Sequence, residues 1–297
     1  MSRRLRIATR GSEQARAQAS AVAERLRHAG HRVELVLIDT TGDLVHDRPI
    51  WEIGGTGVFV KEVQRAVLDG RADIAVHSAK DLPSSFDTEG LVLAAVPLRG
   101  DPRDALAGAT LAALRHGAVV ATGSQRRQAQ LAHLRPDLHF VGLRGNIPTR
   151  IQRADDADVD AVVVAVTGAR WVGLEDRLSH IFEVDEMIPQ IGQGALALEC
   201  RADADDVRAA LGELNDAGSR FAVDTERAFL RHLGGGCELP VGAYATVDQA
   251  GETVTITGVI GSRDGRSAFR DSMSGDEPAV GARLAESLLT RGARALL

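Results

Sequence analysis

Hydrophobic positions in the first two thirds of the chain switch repeatedly between two periods. Leu5 to Thr9 is a short apolar run of strand type, and Glu13 to Ala29 repeats its apolar residues at the spacing of an amphipathic helix. Ser12 stands at the N-cap of that helix and Gly30 just past its end. Val33 to Asp39 is a second strand, Val58 to Leu68 a helix followed by Gly70, and Asp73 to His77 and Leu91 to Val96 are further strands. Strands that alternate with helices predict a mostly parallel sheet covered by helices. After the turn-rich Pro97-Leu98-Arg99-Gly100-Asp101-Pro102 the order restarts. Ala118 to Ala121, Leu138 to Gly142 and Ala161 to Val166 read as strands, with helices at Ser124 to Leu134 and Ile147 to Arg153.

Beyond this the pattern changes. Gly192-Gln193-Gly194 introduces a strand, Ala195 to Cys200, and a helix, Val207 to Leu214, which are expected to cross back to the first unit. A helix over 219–232 and a glycine run lead to strands near 241–247, 253–260 and 266–271 and a helix near 278–291. Those strands alternate apolar and polar residues, as an antiparallel sheet with one wet face does. The predicted fold is therefore α/β: two similar α/β domains around a cleft, with a small α+β third domain. The expected boundaries are 1–96 with 194–214 for the first domain, 100–189 for the second and 218–297 for the third.

Composition narrows the function. The chain has 297 residues, is 44% hydrophobic and 26% charged, and carries a net charge of −6, which argues against a general nucleic-acid binder. No apolar run reaches bilayer-spanning length, and Met1-Ser2-Arg3-Arg4-Leu5-Arg6-Ile7 runs straight into a strand without a signal-like segment, so a cytoplasmic protein is expected. Two cysteines, Cys200 and Cys237, make neither a disulfide framework nor a metal cluster. Lys61 and Lys80 are the only lysines.

Four segments carry candidate chemistry. Residues 115–153 hold seven arginines against one acid, Asp137. Thr122-Gly123-Ser124-Gln125-Arg126-Arg127 is a strand-to-helix turn whose backbone N–H groups, hydroxyls and helix dipole favour an anion, and Leu143-Arg144-Gly145-Asn146 opens a second such turn with Arg150 beyond it. Arginine presents a planar fork suited equally to carboxylate or phosphate. Val76-His77-Ser78-Ala79-Lys80-Asp81-Leu82-Pro83 follows a strand, and its Lys80 and Asp81 are either a binding and proton-transfer pair or an ordinary surface ion pair. Thr9-Arg10-Gly11-Ser12 places another arginine and hydroxyl at a strand end. In Leu233-Gly234-Gly235-Gly236-Cys237-Glu238 the glycines expose a thiol whose catalytic, tethering and incidental roles stay open, whereas Cys200 sits in an apolar run and reads as buried.

Taken together these segments resemble one family. Ala8-Thr9-Arg10-Gly11-Ser12, Gly54-Gly55-Thr56-Gly57-Val58-Phe59-Val60-Lys61-Glu62, Asp73 to Pro83, Asp101-Pro102-Arg103-Asp104-Ala105, Leu143-Arg144-Gly145-Asn146, Gly192-Gln193-Gly194-Ala195 and Gly234-Gly235-Gly236-Cys237 resemble, in order, the signatures of the porphobilinogen deaminases (hydroxymethylbilane synthases). The resemblance implies a cytoplasmic, monomeric transferase of haem and tetrapyrrole biosynthesis. It would join four porphobilinogen molecules head to tail into hydroxymethylbilane, releasing ammonia, on one covalent dipyrromethane cofactor. No metal, nucleic acid or membrane is implied. By the same resemblance Cys237 attaches the cofactor through a thioether, and Asp81, with Lys80, is catalytic. Arg10, Ser12, Phe59, Thr122, Ser124, Arg126, Arg127, Arg144, Gly145 and Arg150 contact cofactor or substrate.

Three departures stand out. Gly55-Thr56-Gly57 replaces the family's glycine-lysine-glycine, Gly123 and Gln125 depart from its Thr-Ser-Ser-Leu-Arg-Arg run, and Trp171 occupies the place of a further substrate-binding arginine. Two other readings remain: a divergent paralogue with altered elongation, and a non-catalytic anion-binding protein, since two α/β units around a cleft also resemble the type II solute-binding architecture.

Overall fold

The computed structural model describes residues 4–40, 57, 60–84, 88–235 and 239–297. In chain order the first run is β1 (Arg4–Arg10), α1 (Glu13–His28), β2 (Arg32–Ile38), α2 (Lys61–Leu68), β3 (Ile74–Ser78) and β4 (Leu91–Ala95). The second run is β5 (Asp104–Ala107), β6 (Val119–Ala121), α3 (Gln125–Leu134), β7 (His139–Val141), α4 (Ile147–Gln152), β8 (Ala161–Ala165), α5 (Val166–Trp171) and β9 (Leu178–Ile181). The chain ends with β10 (Leu196–Arg201), α6 (Asp205–Gly212), α7 (Ala217–Leu233), β11 (Val241–Val247), β12 (Val254–Gly261), β13 (Ala268–Gly275) and α8 (Val280–Thr290). It divides into two compact units, Met1–Arg99 with Ala195–Arg220, and Gly100–Gly194 with Phe221–Leu297. No helix among the described residues is long and apolar enough to cross a membrane.

The first unit is built on a sheet of order β2-β1-β3-β10-β4. β1 runs parallel to β2 and to β3, but β10 is antiparallel to both its neighbours, β3 and β4. The sheet is thus mixed where alternation alone predicts a mostly parallel one. The difference arises because β10 follows the whole second run in chain order, so no local crossover fixes its direction. Helix α1 covers one face through Ala19, Val22, Ala23 and Leu26, against Leu5, Ile7, Ile74, Val76 and Leu198. Helix α2 covers the other through Val63, Ala66 and Val67, against Ala8, Ile38 and Ala75. Ser12 caps α1 as its sequence position predicts, its Oγ accepting from Ala15 N–H at 3.4 Å.

The second unit contains two sheets. One has the order β7-β6-β8-β5-β9, with β6 parallel to β7 and β8, and β5 antiparallel to β8 and β9. Strands β5 and β9 have no counterpart in the sequence pattern. Each has only four residues, and the Asp-Ala-Leu-Ala of β5 has no β-branched residue to betray it. The other sheet, β11-β12-β13, is the expected antiparallel meander. Its inner residues Val254, Ile256 and Ile260 pack with Phe229 of α7 and Leu284 and Leu288 of α8.

Helices α7 and α8 approach closely at Gly281, where a methyl group would overlap the Thr225 carbonyl oxygen. Gly281→Ala is expected to lower the unfolding free energy by about 1–3 kcal/mol, the usual cost of overpacking. Denaturant unfolding measures this, and an unchanged midpoint would show that the helices separate freely.

Candidate functional site

In the first unit, parallel pairing aligns two loops. Ala8 of β1 lies opposite Ala75 of β3, so the residues after both strands emerge at one edge of the sheet. That edge carries Arg10 at the end of β1, Ser12 just beyond it, and the 3-10 turn Ala79–Asp81 after β3. Arg10, Ser12, Lys80 and Asp81 are all half-buried there. Ala79 N–H donates to the Ala195 carbonyl at 2.9 Å, which ties the turn to the chain entering β10. Phe59 and Cys237 lie outside the described residues.

The second unit repeats the arrangement. Val119 pairs with His139 and Ala121 with Val141, so the loops after β6 and β7 share an edge. Thr122 is buried, and its Oγ1 accepts from Ser124 N–H at 3.2 Å. Ser124 caps α3 by accepting from Arg127 N–H, and Asn146 caps α4 by accepting from Thr149 N–H. Arg144 and Arg150 are half-buried on the second loop, and Arg150 Nε donates to the Gly145 carbonyl at 2.7 Å. Gly145 has φ +99°, and a methyl group there would lie 2.9 Å from Thr149 Cγ2, so this turn requires glycine.

Arg126 and Arg127 do not sit on the surface. They are 2% and 7% exposed, on the first turn of α3, and converge on Asp104, which is fully buried at the start of β5. Arg126 Nη1 lies 2.7 Å from Asp104 Oδ2 and also donates to the Ile188 carbonyl at 2.7 Å. Arg127 contacts Asp104 Oδ1 through Nε at 3.0 Å and Nη2 at 2.8 Å, and its Nη1 donates to the Val163 carbonyl. Gln193 Nε2 adds a third donor to Oδ1 at 2.9 Å. Burial raises the Asp104 carboxyl, but the two guanidiniums outweigh it and hold the group well below the usual carboxylate range. Burial, with Arg126 alongside, lowers Arg127 from its ordinary value, against the pull of Asp104.

Two guanidiniums on one carboxylate leave an excess of positive charge. Arg126 Nε and Nη2 are buried without a hydrogen-bond partner among the described residues. An unpaired buried donor is costly, and an anionic group carrying oxygen acceptors is the complement this cluster lacks. The donor set therefore fits a ligand bearing carboxylates. Asp104 and Gln193 had no assigned role in the sequence; their signal was present in Asp101-Pro102-Arg103-Asp104 and Gly192-Gln193-Gly194, but not the fact that both meet the arginine pair.

Trp171 ends α5 and is half-buried. Its neighbour Arg170 turns toward Asp101: its Nη1 lies 3.3 Å from Asp101 Oδ2, beside the Arg103–Asp101 pair.

These features define an α/β protein that gathers arginines, hydroxyls and a carboxylate at its strand ends. Comparison with known sequences gives the particular family. The porphobilinogen deaminase dipyromethane cofactor binding domain matches residues 5–209, and the porphobilinogen deaminase C-terminal domain matches residues 221–290. The chain belongs to the porphobilinogen deaminase family. It is 45% identical to a porphobilinogen deaminase of Syntrophotalea carbinolica over 99% of this chain and 95% of the relative. It is also 45% identical to one from a Roseiflexus species over 100% and 99%, and to one from Trichlorobacter lovleyi over 99% and 96%.

Proposed function

We propose that the chain carries out its family's transferase reaction, the joining of four porphobilinogen molecules into hydroxymethylbilane with loss of ammonia, with the residues above in named roles. The observation that carries the reading is the buried Asp104–Arg126–Arg127 cluster, whose Arg126 donors lack partners among the described residues. A diffuse basic surface would not bury its charge. Family membership disfavours a non-catalytic binding protein.

Each substrate carries an acetate and a propionate, so a growing chain needs fixed positive forks. Arg126 and Arg127, oriented by Asp104, supply a rigid pair; Arg144 and Arg150 supply the next loop, and Arg10 the edge of the first unit. Thr122, Ser124, Gly145 and Ser12 shape the turns and offer hydroxyl and backbone donors. The dipyrromethane cofactor, attached through Cys237, supplies the pyrrole end to which the first substrate is joined; Phe59 is its proposed aromatic neighbour.

In each addition the C–N bond of the incoming aminomethyl arm breaks and nitrogen leaves as ammonia. The methylene carbon left behind is electron-poor. A fixed carboxylate at Asp81 stabilises that charge without reorganising at the moment of reaction. The same carboxylate accepts the pyrrole proton released as the new C–C bond forms. Lys80, in the same turn, balances the charge of Asp81 and binds substrate carboxylate. The protein is proposed to act as a cytoplasmic monomer without nucleic acid or membrane.

Incubation with porphobilinogen, followed by acid oxidation and measurement of uroporphyrin, tests the reading. Wild-type protein is expected to produce uroporphyrin, and Asp81→Asn to lower kcat about a hundredfold, the scale of losing one preorganised electrostatic contact. No product from protein carrying the cofactor, or full activity in Asp81→Asn, would contradict it.

A further inference from the structure

We propose that Glu199, His77, Gln64 and Gln18 are positioning residues that fix where Lys80 and Asp81 stand. The proposal rests on the role given to Asp81 above. The two apolar faces of the first sheet each enclose polar side chains, and these meet at the same strand end.

His77 and Ser78 are the last residues of β3, and consecutive strand residues point to opposite faces. On the α2 face, His77 Nε2 lies 3.0 Å from Glu199 Oε2, within ion-pair reach but off the line of an aligned hydrogen bond. Gln64 Nε2 of α2 donates to both Glu199 oxygens, at 3.1 and 3.0 Å. Thr88 Oγ1 donates to Gln64 Oε1 at 3.2 Å, which completes a chain from β3 through β10 and α2 to the segment before β4. Gln64 and His77 are 5% exposed and Glu199 is fully buried. On the α1 face, Gln18 and Ser78 exchange hydrogen bonds: Nε2 donates to Oγ at 3.1 Å and Oγ to Oε1 at 3.3 Å. Gln18 is also 5% exposed.

Stability does not account for this arrangement. Burying polar and charged groups carries a desolvation cost, and apolar residues of the same shape are often at least as stabilising. Polar contacts add direction, which apolar contacts do not: a close charge contact at His77, with Glu199 itself held by Gln64, and hydrogen bonds at Ser78. The β3–β10 ladder ends at Ser78 opposite Leu196, and Lys80 and Asp81 follow within three residues. Pins on both faces of the last two ladder residues stop that end from sliding or twisting. The carboxylate that follows is then held to the tolerance chemistry needs, since about 1 Å of misplacement can cost on the order of a hundredfold in rate.

The experiment is a double-mutant cycle on full-length protein, with kcat expressed per molecule carrying the pyrrole adduct by intact mass. Glu199→Gln keeps the shape but removes one acceptor, and is expected to lower kcat about tenfold or more with KM nearly unchanged. If Glu199 acts through Asp81, adding Glu199→Gln to Asp81→Asn costs no further activity. Gln18→Leu, on the opposite face, is read in the same way and carries the test if Glu199→Gln does not fold. Unchanged kcat in both variants, or losses that multiply in the double mutants, would overturn the positioning role while leaving Asp81 catalytic. Full activity in Asp81→Asn would instead overturn the reading of Asp81, and the positioning role with it.

Discussion

Cys237→Ser is expected to lack any covalent pyrrole adduct and to form no hydroxymethylbilane. A thioether needs sulfur as the nucleophile, and a serine hydroxyl at neutral pH is far weaker without an activating base. The thiol attacks once and then serves as a tether, so no partner histidine is required. The other cysteine cannot substitute. Cys200 is buried in β10 among Ile74, Val76 and Leu198, and burial pushes its thiol up from the ordinary value, away from thiolate. Cys200→Ala should therefore keep both adduct and turnover. Intact-mass measurement of wild type and the two variants reads the result directly. An adduct retained in Cys237→Ser, or lost only in Cys200→Ala, would remove Cys237 from the mechanism.

Cys200 shows what local sequence makes legible. A thiol in an apolar run reads as core, because that inference needs only neighbouring residues, and Cys200 is fully buried. The helix caps Ser12 and Ser124 follow the same logic, as does the placing of Arg10, Lys80, Asp81 and Arg144 at strand ends. What escaped depends on distant pairing. The antiparallel β10 meets β3 across more than a hundred residues of chain, and its Glu199 meets His77 only because the ladder sets Ala197 opposite His77. Likewise Arg126 and Arg127 read only as an anion-favouring turn until β5, a strand invisible in the pattern, delivers Asp104 beneath them. The place of the arginines at a strand-to-helix turn was recognisable; their burial, and hence their rigidity, was not.

That burial makes Asp104 the residue whose loss should most damage the fold of the second unit. Asp104→Ala leaves two guanidiniums inside the protein with no counter-charge. Removing one member of a buried ion pair typically costs about 3–5 kcal/mol, because the remaining charge keeps its desolvation penalty. Asp104→Asn should be nearly as damaging: its amide keeps an oxygen acceptor but no charge. The pH dependence separates charge from packing. The folded protein holds the Asp104 carboxyl well below its usual value, so the native state favours the ionised form more strongly than the unfolded chain does. Its contribution is fully present above the unfolded carboxyl pKa, about 3.9, and is lost as pH falls from there through the folded pKa. The stability gap between wild type and Asp104→Asn should hold level from neutral pH to about 5, then narrow by up to about 1.4 kcal/mol per pH unit below about 4. Urea unfolding of both proteins across that range measures the gap. A gap that stays constant down to pH 2 would show that Asp104 acts through its shape, and the arginine pair would then need another source for its orientation.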